Sequence, residues 1–69
     1  MAERLNGTVV RKIEDKGFGF IKDDSGKEFF FHSSGVRDRG WDNIQTGDKV
    51  TFLRGMGPKG PRAEDIEPV

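Results

Sequence analysis

Lys16-Gly17-Phe18-Gly19-Phe20-Ile21-Lys22, followed after a short gap by Glu28-Phe29-Phe30-Phe31-His32, decides the reading of this chain. Side chains of a strand alternate between its two faces. In the first stretch Phe18 and Phe20 share one face, and Gly19 and Ile21 share the other. In the second, Phe29 and Phe31 share one face, and Phe30 lies with His32 on the other. A half-buried strand needs only one apolar face, so one aromatic set must serve something other than the core. His32 is polar and marks the wet side. Phe29 and Phe31 therefore go inside with Ile21, and Phe18, Phe20 and Phe30 are expected to be exposed together beside His32. An exposed aromatic cluster of this kind marks a binding surface.

Between the two stretches, Asp23-Asp24-Ser25-Gly26 reads as a hairpin loop with Gly26 at the position of positive φ. Upstream, Leu5 to Ile13 is rich in β-branched residues and reads as a first strand, closed by the turn Glu14-Asp15-Lys16-Gly17. Downstream, a long irregular segment runs from Ser33 to Thr46. Lys49 to Arg54 forms a fourth strand, Gly55 to Pro61 a loop and Arg62 to Glu67 a short fifth strand. Ten glycines supply turns, and no eleven-residue window carries the spacing of an amphipathic helix. Five short strands without a helix predict a small all-β barrel, five-stranded and antiparallel.

The 69 residues allow one domain, with the barrel expected over about 5–67. There is no cysteine and one histidine, His32, so neither a disulfide nor a zinc site braces the chain. No run approaches a membrane span, and the first residues lack the apolar core of a signal peptide. The expectation is a cytoplasmic monomer without cofactor, metal or membrane association. Twelve basic residues balance twelve acidic ones, giving a net charge of zero. Affinity for a polyanion therefore cannot rest on bulk charge. The charges are uneven, however: Arg54, Lys59 and Arg62 fall in a stretch free of acids, and Glu64, Asp65 and Glu67 follow it.

The two phenylalanine stretches resemble the ribonucleoprotein motifs of the bacterial cold-shock protein family. The resemblance continues through Gly40-Trp41, Gly47-Asp48-Lys49-Val50-Thr51-Phe52 and Gly57-Pro58-Lys59-Gly60-Pro61-Arg62-Ala63, without gaps from about Gly7 to Ile66. It implies an oligonucleotide-binding (OB) fold that takes single-stranded RNA or DNA with low sequence selectivity, as an RNA chaperone or modulator of gene expression. The RNA-recognition-motif fold shares a similar hexapeptide but requires helices that this sequence lacks. By position, Lys16, Phe18, Phe20, Phe30, His32, Trp41 and Lys59 match family binding residues, and Arg62 is expected to reach the same ligand. Trp41, between Gly40 and Asp42-Asn43, is expected on an exposed loop.

The first strand departs from the family pattern. Arg11 stands where a stacking tryptophan is usual, Lys12 where a phenylalanine is, and Ser33 replaces a further phenylalanine. Arg11 is read as a substitute of another kind, because a planar guanidinium stacks on a base and also reaches phosphate. Lys12 is expected to add a second cation nearby. The alternative use of such a surface is a protein-interaction module on the same barrel. Catalysis has little to build on. His32 is the sole imidazole, strand alternation turns Ser33 away from it, and the carboxylates show no pairing. Neither a catalytic residue nor a small-molecule substrate is therefore assigned.

Overall fold

The computed structural model describes residues 4–58 and 60–69, with the side chains of Asp38 and Arg39 left aside. Five strands form: β1 (Leu5–Ile13), β2 (Phe18–Asp23), β3 (Glu28–His32), β4 (Lys49–Gly57) and β5 (Gly60–Pro68). They close into a barrel in the order β1-β2-β3-β5-β4. A ring of five strands cannot alternate direction all the way round, so at least one neighbouring pair must run parallel. That pair is β3 and β5, joined at Phe30 and Arg62; the other four pairings are antiparallel.

The irregular segment between β3 and β4 holds two 3-10 turns, Ser33–Gly35 and Arg37–Asn43. Between them Val36 is buried and bridges in parallel to Ile66 on β5. The hairpin of β4 and β5 is longer than the sequence predicts. Gly55 to Pro61, expected as a loop, continues the ladder through Gly55–Arg62, Met56–Pro61 and Gly57–Gly60. The glycines and prolines there carry little apolar pattern, so the pairing leaves no trace in periodicity.

Alternation sorts the phenylalanines as expected. Phe29, Phe31 and Phe52 are completely or almost completely buried, with Val9, Ile21 and Ile44 around them. Phe29 and Phe52 meet at 5.1 Å between ring centroids. Gly19 belongs to this packing: a Cβ there would collide with the Phe31 ring and with the Arg11 carbonyl oxygen. The missing side chain lets β1 and the Phe31 ring close over the β2 backbone.

The first strand contains the feature that matters most for the site. Val9 pairs with Ile21, but the next pair is Arg11 with Phe20, so Val10 is a bulge. A bulge inserts one residue and reverses the facing of everything beyond it. Strict alternation from buried Val9 would send Arg11 into the core. With Val10 extruded, Arg11 turns outward and Lys12 turns inward opposite Gly19.

Candidate nucleic-acid interface

The outward residues of four strands line up in a row across the sheet. Arg11 pairs with Phe20, Phe20 with Phe30 and Phe30 with Arg62. Paired residues present their side chains on one face. The row therefore reads cation, ring, ring, cation. A second row beside it runs Ile13–Phe18–His32. Phe18 links the two rows, with its ring 6.2 Å from Phe20 and 5.5 Å from Phe30; Phe20 and Phe30 lie 6.0 Å apart. The three rings are only half-buried, against complete burial of Phe31 on the opposite face. They are less open than alternation alone suggests. The Phe20 ring stands edge to face against both Phe18 and Phe30, a preferred aromatic geometry, and the rings shade one another.

Lys16 is exposed in the β1–β2 turn, and Lys22 is exposed at the far end of β2. His32 is exposed, and its Nδ1 accepts a hydrogen bond from the Ser34 backbone N–H at 3.1 Å, with Ser34 Oγ at 2.9 Å. An amide can only donate, so the neutral ring carries its hydrogen on Nε2. His32 thus caps the first 3-10 turn with one nitrogen and keeps Nε2–H as a donor on the platform side.

Two sequence expectations change. Lys12 does not join Arg11: its side chain is 3% exposed. Its Nζ donates to the Ile44 carbonyl oxygen at 2.9 Å, pairs with Glu14 at 3.1 Å and lies 4.8 Å from the centre of the Trp41 ring. The bulge at Val10 is the cause. Trp41 is not on an open loop. It sits in the second 3-10 turn, packs partly buried against the core and lies 5.7 Å from the inward ring of Phe31. It makes no ring contact with Phe18, Phe20 or Phe30 among the described residues. Lys59 lies outside the described residues.

The acids of β5 are held in ion pairs. Asp65 pairs with both Arg4 and Arg37, and so does Glu67. These carboxylates are neutralised within a network of their own on β5. Arg62 faces a different carboxylate, Glu64, at 3.4 Å. Beside Phe30 and Arg62, Gly57, Pro58 and Gly60 complete an apolar cavity of about 160 Å³. Glu64 and this cavity have no signature in the sequence, since both depend on the extended hairpin. The bulge does have one. Arg11 at a position that strict alternation assigns to the core is itself a sign that alternation breaks before it.

A small five-stranded barrel of this kind is an oligonucleotide-binding (OB) fold, and comparison with known proteins agrees. The family described as 'Cold-shock' DNA-binding domain matches residues 5–69. The chain is 39% identical to the major cold shock protein CspA of Pseudomonas aeruginosa over 69 residues, all of both chains. It is 44% identical to cold shock protein ScoF of Streptomyces coelicolor over 64 residues, 91% of this chain and 96% of that one. The solved structure of drosophila Unr CSD456 superposes with a TM-score of 0.79 at 28% identity; the match covers 97% of this chain and 27% of that longer one. This chain belongs to the cold-shock domain family, whose members generally bind nucleic acid.

Proposed function

We propose that this chain acts as one non-catalytic unit that binds single-stranded RNA or DNA with low sequence selectivity, in the manner of an RNA chaperone or modulator of gene expression. The observation that carries the reading is the row Arg11–Phe20–Phe30–Arg62 with Phe18 and His32 beside it. Bases stack on aromatic rings for about 1–3 kcal/mol each, whatever their identity. Rings held on a sheet offer that energy without ordering a loop. Lys16, Arg11 and Lys59 meet the backbone charge, Arg62 closes the far end, and His32 contributes Nε2–H. Trp41 braces the barrel beneath Lys12.

The test is a titration of labelled heptathymidine and heptauridine, followed by fluorescence anisotropy at several salt concentrations. The expected result is saturable binding of both, a site of about 6–7 nucleotides and a log–log salt slope of about −1.4 to −2, corresponding to two or three phosphates on a single strand. A slope near −5 would assign the affinity to charge instead of stacking. Absence of binding to both oligomers would remove the reading.

A further inference from the structure

The corner where β3, β4 and β5 meet carries more chemistry than a stacking surface requires. Arg62 and Glu64 are two residues apart on β5 and reach across to β4, and each lies over a glycine. A Cβ on Gly57 would stand 3.0 Å from Arg62 Cδ, and one on Gly55 would stand 2.5 Å from Glu64 Oε2. The bare glycine backbone therefore lets both side chains pack down onto β4; Arg62 lines the cavity beside Phe30 and also a neighbouring groove that Glu64 shares. The two groups do not satisfy each other. Arg62 Nε is buried and makes no hydrogen bond among the described residues, because the 3.4 Å approach of Glu64 lacks hydrogen-bond geometry. A half-exposed pair of this kind contributes little, so redirecting it toward a ligand costs little.

We propose that this corner is a base-reading subsite selective for guanine, within the single-strand binding proposed above, on which it rests. A donor fork beside an acceptor pair calls for a base with two adjacent acceptors and two adjacent donors. Guanine has both: O6 and N7 for the guanidinium, the pairing arginine makes with this base, and N1–H and the N2 amino group for the carboxylate. Adenine gives the fork one acceptor, N7, beside a donor. Thymine and uracil set a single N–H between two carbonyls, one of which would face Glu64. Phe30 stacks the base while Arg62 and Glu64 read its edges.

The experiment compares heptathymidine with heptathymidines carrying one guanosine at each position in turn, by competition against labelled heptathymidine. One position is expected to bind roughly tenfold tighter than the parent, and 7-deazaguanosine there, which lacks the N7 acceptor, loses much of the gain. E64Q is expected to bind plain heptathymidine as the parent does and to lose the guanosine gain; R62K, at a residue of the platform row, is read by the ratio of guanosine-bearing to plain affinity, which is expected to fall toward one. If guanosine raises affinity at no position, or if the gain survives in both variants, the subsite does not exist while single-strand binding stands. If neither plain nor guanosine-bearing oligomers bind, the subsite and the function fall together.

Discussion

Arg11 and Phe20 are cross-strand partners only because Val10 is extruded from the ladder between them and the Val9–Ile21 pair. One inserted residue converts what would be a buried cation into the first member of the platform row. If the guanidinium both stacks and contacts phosphate, Arg11→Ala should weaken oligonucleotide binding and make the salt slope shallower by roughly 0.7. Arg11→Lys should restore the slope but only part of the affinity. Equal affinity of Arg11→Ala and the parent at low salt would make β1 scaffold alone.

The same bulge makes Lys12 a structural residue. Lys12→Ala removes a buried ammonium that serves the Ile44 carbonyl, Glu14 and the Trp41 ring. It should destabilise the fold by about 1–3 kcal/mol in urea unfolding. The salt slope of oligonucleotide binding should not move. A slope change matching that of Arg11→Ala would show that Lys12 turns outward to the ligand.

Phe31 and Phe30 are adjacent in sequence and opposite in role. Phe31→Ala empties a fully buried site beside Trp41 and should cost roughly 3–5 kcal/mol of stability. Phe30→Ala should cost much less stability and weaken binding by about 1–3 kcal/mol. Thermal unfolding and oligomer titration of the two variants, side by side, check the split.

Asp23 orders the β2–β3 loop. Its Oδ1 accepts from the Ser25 hydroxyl at 2.8 Å, the Lys27 backbone N–H at 2.9 Å and the Ser25 backbone N–H at 3.0 Å. These hydrogen bonds, that of the Ser25 side chain foremost, hold the carboxyl below its ordinary value. A carboxylate depressed in the folded state stabilises above its unfolded pKa, and that contribution is lost as pH falls through the folded value. Unfolding followed below about pH 4 should therefore show a shallower acid limb for Asp23→Asn than for the parent. Identical limbs would remove Asp23 as a source of acid sensitivity.

Where one strand is read against itself, the sequence is informative. Alternation places Phe29 and Phe31 inside and Phe18, Phe20 and Phe30 outside, because burial of alternate residues is a local property of a pleated strand. It fails at Arg11 and Lys12, whose facing depends on how β1 aligns with β2. It fails again at Trp41, whose environment is set by a 3-10 turn folding back onto Phe31. The Arg62–Phe30 contact is a closure between strands distant in sequence, and no local pattern encodes it. The glycine-rich hairpin is paired by its partner strand and not by any apolar period of its own.

In the proposed function, a single strand lies on the Phe18–Phe20–Phe30 face. The most direct measurement is an aromatic proton–carbon NMR titration of the intact protein with heptathymidine. Large shifts of the Phe18, Phe20 and Phe30 ring signals are expected, with those of Phe29, Phe31 and Phe52 nearly unmoved. Binding that leaves the Phe18, Phe20 and Phe30 rings unperturbed, and shifts signals elsewhere on the barrel, would contradict it.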